Sequence, residues 1–526
     1  MTLPKEISIM GKLFNARVIP CALLFLAAGV VAGLFLNVAW LLGLFGGAAV
    51  ISLVVIHKNN SKKARALFAL FFILLGMSSS LIFHAANANR AVNADGARIT
   101  GRVTVMTRHD PGGAVVGGTA LFIDNARITR ANGTTQSVPG VVRVSAANHP
   151  ALSIGDSVTL QGDLRAIPFR AGDSFSAMRF RNRIYHSFSA NSFISAAYGS
   201  PRLTERIKIA ARLTLHENTS GATADFIYAM MFGDSGYLDD GLRAEFRAVG
   251  AAHLFAVSGL HIAVLAGALM GLLKLCGLSQ KRSFLITFPV LLFYGAICAF
   301  SPSVMRALLM FLIWQIGRMS GMRADGISSI SLAALILLII RPFYIFDLSF
   351  LLSFMAVIGI NFNVGRFLRV LTRDGAVKNR VALAFLRTTA ITTSVNIAVF
   401  PITLHYFGSF SFLFVIANTL LVPIVSVLFP IIVPLVLISA ALPPLGVAVT
   451  AVAMAYTVIT LIAALLSRIP WTTVEAELPW AIIPLHAAGL TFTSRYCFLS
   501  QKAKTAIACA TAALLVVAVG YGILFV

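Results

Sequence analysis

The stretch from Gly250 to Met270, GAAHLFAVSGLHIAVLAGALM, is long and apolar enough to enter a bilayer, yet it carries His253, Ser258, Gly259 and His261. A ring nitrogen or hydroxyl in hydrocarbon costs free energy unless it faces a partner helix or a water-filled path. Two chemistries suit these residue types. Ser258 and His261, three apart and sharing a helix face, would make a serine nucleophile beside its activating base. Alternatively, Ser258 and Gly259 let the backbone bend or a second helix approach, as in unwound segments that line transport sites. The same residues also suit a packed membrane helix whose polar atoms bond to neighbours. A hydrolase ordinarily holds its base on another helix, a place for which His405 is the candidate, and GxSxG is absent, so the transport path is the preferred reading.

Further polar groups interrupt the other apolar runs: Arg306, Asp347, Asn396 and His405. Each is costly in lipid unless it faces protein or water, so with Ser258 and His261 they would line one polar path. In the structural alternative Arg306 and Asp347 pair to hold two helices together, or Arg306 snorkels to the interface near Pro302. There is no HExxH, no Walker loop and no carboxylate cluster, so no metal and no cofactor is expected, and an energy-coupling ATPase is expected to be another protein. His109 and Asp110, followed by Pro111 and Gly112, read as a turn.

These residues must be positioned by membrane helices. The chain of 526 residues is 58% hydrophobic and 12% charged, with mean hydropathy +0.87, beyond the apolar share of soluble domains. The fold class expected is a polytopic α-helical membrane protein with an inserted small, OB-like β-barrel domain. The formal charge of +23 is weak evidence for a nucleic-acid partner, because cytoplasmic loops of membrane proteins retain Lys and Arg. The five cysteines fall in or beside apolar runs, which implies no disulfide framework. The first apolar run lacks a cleavage site and reads as a retained span.

Runs near Val18 to Leu36, Ala39 to Ile56 and Leu67 to Phe83 each approach the roughly 20 residues that cross hydrocarbon as helix. Basic clusters at Lys5, Lys12 and Arg17 and at Lys58 to Arg65 put the N-terminus in the cytoplasm and the chain after Phe83 outside. From about Asn87 to Ala166, short runs such as GARITGRVTVM, TALFIDNARIT, GVVRVSA and DSVTLQGDL predict a β domain of four or five strands, with Gly155-Asp156 turning into the last. Its arginines, including Arg102 and Arg127, supply charge, whereas Phe122 is nearly the only aromatic available for base stacking. Phe169 to Asn218, with Arg179, Arg181 and Arg183, predicts amphipathic helices on the outer membrane surface, followed by two short helices around the Gly233-Asp234 turn. Ser409 to Leu442, with Asn418, Pro423, Pro430 and Pro434, predicts one broken or re-entrant crossing. Counting it once keeps Glu475 and Glu477 outside, Arg495, Lys502 and Lys504 inside, and the end of the final run outside. The domains expected are 1–86, three membrane helices; 87–166, the β domain; 167–249, interfacial helices; and 250–526, the membrane channel domain.

AHLFAVSGLHI resembles the signature of the ComEC-type competence proteins, inner-membrane channels for imported single-stranded DNA. SPSVMRALLM with Ser303 and Arg306, DLSFLLSFMAV with Phe350 and Ser353, FPITLHYFGSFS with Pro401 and Gly408, and IANTLLVPIVS with Asn418 and Pro423 follow in that family's order. Leu351 stands where the family commonly has glutamine. The resemblance implies an inner-membrane passage for single-stranded DNA, lined by the motif residues and contacted by membrane lipids. Arg102, Arg127, Arg179, Arg181 and Arg183 are then candidates for meeting the strand outside. Many members continue into a metallo-β-lactamase-like domain that degrades the other strand; it is missing before Val526, so nuclease activity is expected in a separate protein. A separate DNA receptor and a cytoplasmic motor or helicase are the other partners implied. A passage for another solute or envelope polymer fits the same residues.

Overall fold

The computed structural model describes residues 22–23, 26–31, 72–83, 90–109, 115–146, 152, 154–171, 173–320, 326–372, 379–440, 442, 445–470, 472–493 and 500–524, with side chains 105–109, 115–120, 146, 174–175, 522 and 524 left aside. The first and third expected spans are helical where described, at 22–23 and 26–31 and in α1 (Phe72–Phe83). The second, Ala39 to Ile56, lies outside the described residues. Gly29 and Gly76 bring the two helices together: a Cβ on either would strike the other helix's backbone, the close approach that small residues permit in lipid. Ser80 Oγ donates to the Val30 carbonyl across this contact at 3.0 Å.

The alternating Val, Ile and Thr of the next segment form β1 (Ala94–His109), β2 (Val115–Thr129), β3 (Thr135–Ser137), β4 (Val141–Ala146) and β5 (Ser157–Ala166). A sixth strand, β6 (Ile184–Ala197), follows the short helix α2 (Ser174–Arg181). β1 pairs with β2 and β5, β5 with β6, β6 with β4 and β4 with β2, so the pairings close into a ring. The β4–β6 pairing is parallel and the others in the ring antiparallel, while β3 flanks β2. Period-two alternation turns Ile99, Ile123, Val142, Leu160 and Phe188 into one interior.

Two expectations for this region are corrected. Gly155-Asp156 leads into β5, not into the last strand, because β6 completes the ring. The segment from Phe169 onward is therefore not wholly helical: Ile184, His186 and Phe188 alternate into the sheet's interior, a period the nearby arginines obscure. α3 (Leu203–Asn218), α4 (Gly221–Phe232) and α5 (Asp240–Ala248) do follow as helices. α4 is no surface helix, since Phe226 through Phe232 are all buried, as befits a helix apolar on every side. It ends at Gly233, whose φ of 70° is left-handed and favours glycine at that position.

The membrane core comprises α6 (Gly259–Leu275), α7 (Gln280–Ile297), α8 (Pro302–Met319), α9 (Gly326–Ile340), α10 (Leu348–Thr372), α11 (Arg380–Phe407), α12 (Phe414–Ser439), α13 (Gly446–Ser467), α14 (Ile482–Thr493) and α15 (Gln501–Leu524). Among the described residues, five helices are long and apolar enough to cross a membrane: α10, α11, α12, α13 and most of α15. The protein is a multi-pass membrane protein. α12 corrects the broken crossing, being one continuous helix of 26 residues with all three prolines inside it. Pro423 and Pro434 are exposed on the face opposite the buried row Leu421, Val425, Phe429, Ile432 and Val436. Packing along that row holds the helix through the hydrogen bonds the prolines remove. The short strands β7 (Ser409–Ser411) and β8 (Thr473–Glu475) pair, so the ends of α12 and α13 that adjoin them lie at one side of the core.

An aromatic seam seats the β domain on this core. Phe83 from α1, Phe169, Phe180 from α2 and Phe343 before α10 pack together, with Phe83 5.2 Å from Phe169 and 5.0 Å from Phe343 between centroids.

Candidate functional site

The central motif is built as a helix start. Ser258 has extended backbone and caps α6, its Oγ accepting the His261 N–H at 3.4 Å. The His261 ring folds back, and its Nδ1 accepts the Ser258 N–H at 3.1 Å. This is a capping box in which histidine fills the place usually taken by Glu or Gln. The shared helix face expected for Ser258 and His261 is thus corrected: the serine lies just before the helix. The hydroxyl and imidazole are bonded to each other's backbone, so the ring does not address the Ser258 oxygen as a base would. With Nδ1 accepting, the ring proton lies on Nε2, which is buried without a hydrogen-bond partner. The ring stacks on Phe429 of α12, 4.3 Å between centroids and 18° from parallel.

Gly259, first residue of α6, lies against Arg306 of α8, and a Cβ there would collide with the guanidinium. Arg306 is 7% exposed. Its Nε donates to Ser353 Oγ of α10 at 2.7 Å, its Nη1 contacts Met310 Sδ at 3.7 Å, and its guanidinium lies 5.9 Å from the Phe354 ring centroid. No carboxylate among the described residues pairs with it. A guanidinium remains charged at any ordinary pH, and an uncompensated buried charge costs on the order of several kcal/mol. Ser303, one turn before Arg306, donates to the Ser349 carbonyl at 3.5 Å, which strengthens the α8–α10 contact.

The alternative in which Arg306 and Asp347 pair with each other is not what forms. Asp347 is fully buried and pairs with Arg181 of α2, whose Nη1 lies 3.1 Å from both carboxylate oxygens and 2.9 Å from Ser349 Oγ. Asp347 also accepts the Phe350 N–H at 3.1 Å, capping α10. Arg181 and Asp347 therefore join the β domain's helix to the core, and Arg181 is not displayed for a ligand. Ser349 and Ser353, one turn apart on α10, receive the two arginines.

The remaining expected lining residues do not join this group by any bond the structure makes. Asn396 donates to Thr392 O in its own helix at 3.0 Å, and the His405 ring meets the Leu478 carbonyl at 2.5 Å. Asn418 is buried in α12 with its Oδ1 unpartnered, Pro423 faces outward, and His253 is exposed in the short 3-10 turn Ala252–Phe255.

On the β domain, Arg102 is engaged by Glu205 and the Ser200 carbonyl, both at 2.8 Å. Arg179 lies 3.7 Å from Asp173. Arg127 and Arg183 are exposed, the latter with a left-handed φ of 62°. Arg127 lines a shallow concavity of about 460 Å³ with Thr100, Asn125 and Ser157. Phe122 is buried, so it offers no stacking platform. His186 is buried in the sheet, its Nε2 accepting the Val92 N–H at 3.2 Å, and burial lowers its pKa below the ordinary 6.5. Phe429, Met310 and Phe354 complete the central site. Each is an apolar residue on a membrane helix, and no signal of residue type distinguishes it from its apolar neighbours.

The sequence profile of the competence proteins matches residues 230–501, the segment holding Ser258, Gly259, Arg306 and Ser353. The chain belongs to the competence protein family. It is also similar to ComE operon protein 3 of Bacillus subtilis (strain 168), 27% identical over 197 residues that make up 38% of this chain and 24% of that protein. The alignment thus spans about a quarter of that relative's length. No solved structure matches. Within this competence-family member, the matched segment is where three helices bring a capped helix start, an unpaired arginine and a serine together.

Proposed function

We propose that this protein takes up single-stranded DNA across the cytoplasmic membrane, with the β domain outside and the N-terminus in the cytoplasm. The observation that carries the reading is the meeting of the Ser258-Gly259 turn with Arg306 and Ser353 inside the competence-family match. A passing strand presents a regular row of phosphate charges and bases of any identity. Charge recognition therefore gives passage without sequence preference and with strong salt dependence. Orientation rests on the basic clusters between spans. A separate receptor, nuclease and cytoplasmic motor supply what these residues do not.

The test is uptake of labelled DNA by a deletion strain carrying the wild-type gene or Gly259→Leu, with membrane insertion measured for both. The wild type restores uptake, whereas Gly259→Leu, which drives a side chain into the Arg306 guanidinium, inserts but does not. Equal uptake by the two, or none by the inserted wild type in a competent strain, overturns the reading. In the latter case a different polymer becomes the cargo to assay.

A further inference from the structure

We infer that the start of α6 and Arg306 together form a binding site for one phosphodiester anion. The inference rests on the DNA-uptake reading for the source of that anion but not for the site's chemistry.

The first amides of a helix have no partner within it and carry the positive end of its dipole. In α6, with 17 residues, Ser258 Oγ takes the His261 N–H and the Ser258 carbonyl accepts the Ile262 N–H at 3.3 Å. Among the described residues, the N–H groups of Gly259 and Leu260 take no hydrogen-bond partner. Such a start attracts anions of any kind, and alone it would identify nothing.

The second observation is Arg306. Its side chain is buried, its charge is unanswered among the described residues, and its Nη2 packs against the Cα of Gly259 without a hydrogen bond of its own. Side chains on a helix tilt toward its N-terminus. A guanidinium standing where the Gly259 side chain would be is therefore at the same end as the two free amides. Ser353 fixes the other side of the guanidinium through Nε, so the remaining nitrogen is held in place. The His261 ring, with its unpartnered Nε2 proton, covers the same first turn.

Two backbone donors and one oriented guanidinium match a tetrahedral oxyanion bearing a single charge and two free oxygens. A phosphodiester is such a group, whether it belongs to a nucleic-acid strand or to a lipid headgroup. Gly259 is then a specificity element, since any side chain there separates the arginine from the amides.

The experiment uses the full chain in nanodiscs of neutral or anionic lipid, with a fluorescent thymidine oligonucleotide as probe and inorganic phosphate as competitor. Log affinity is followed against log salt. Arg306→Gln lowers affinity by about tenfold or more, the scale of a lost charge-assisted contact. It also reduces the salt slope by about 0.7, one phosphate of a single strand. Arg306→Lys retains most of the slope. Gly259→Ala weakens binding with Arg306 still present, and monodisperse elution of each variant establishes that it is folded. If a lipid headgroup is the occupant, anionic nanodiscs weaken oligonucleotide binding by the wild type but not by Arg306→Gln.

An unchanged affinity and slope in folded Arg306→Gln overturns the site while leaving DNA uptake by the wild type intact. If the wild type takes up no DNA but phosphate binds in an Arg306-dependent way, the uptake reading fails and the anion site stands.

Discussion

Two arginines reach α10 one turn apart and are answered differently. Arg181 donates to Ser349 and shares its charge with the buried Asp347, whereas Arg306 donates to Ser353 and meets no acid among the described residues. The first arrangement closes on itself and ties α2 of the β domain to the start of α10. The second leaves a fixed positive charge beside the open end of α6. The difference separates an arginine whose charge is answered by a buried acid from one whose charge meets no acid among the described residues, and removal of each should therefore fail in opposite ways.

Arg306→Gln gives the largest functional effect. DNA uptake falls by about a hundredfold or more, because a preorganised charge of this kind contributes several kcal/mol in a water-poor site. Its thermal midpoint in detergent stays level or rises, since an uncompensated charge has been removed. A large drop in midpoint would instead make Arg306 a structural element like Arg181. Asp347→Ala does the reverse, destabilising the protein by about 3–5 kcal/mol by stranding a buried charge. Arg181→Leu in the same chain recovers a substantial part of that loss, and a double-mutant cycle measures how much. Additivity of the two changes would mean that the pair is not coupled.

Smaller effects sharpen the contrast between the helical core and the β domain. Ser258→Ala removes the α6 cap and costs about 1 kcal/mol; a serine nucleophile would instead react with a fluorophosphonate probe, and no labelling at Ser258 is expected. In the β domain, His186 is held neutral by burial and by the hydrogen bond its Nε2 accepts from Val92. Its folded pKa lies below the unfolded value, so the fold prefers the neutral ring. The stability this represents is complete above about pH 6.5 and declines as pH falls below that value toward the depressed folded pKa. Melting of the wild type at pH 7.5 and pH 5, compared with His186→Phe, checks the sign: the variant should lose less on acidification.

Much of this was legible in order along the chain. The apolar runs from Gly250 and from Ser409 marked α6 and α12, the alternating Val and Ile marked the sheet, and the oddly polar stretch at 253–261 marked the helix start that meets Arg306. Strand β6 escaped because its buried alternation is confined to Ile184, His186 and Phe188, directly after a run of arginines. The prolines of α12 misled because a kink is a local tendency, whereas the buried row on the opposite face is a property of packing.

By itself the sequence determined that the chain crosses a membrane repeatedly, carries a β domain early and buries a few polar residues in grease. These follow from composition and period, which act on neighbours within a few residues. Partner choice belonged to the tertiary structure alone. Arg306 and Arg181 lie 125 positions apart, each within reach of α10 only after the helices pack, and nothing local says which of them receives Asp347. A buried charge is answered by whatever the fold carries to within a few ångströms of it, and that distance is set by the whole assembly of helices.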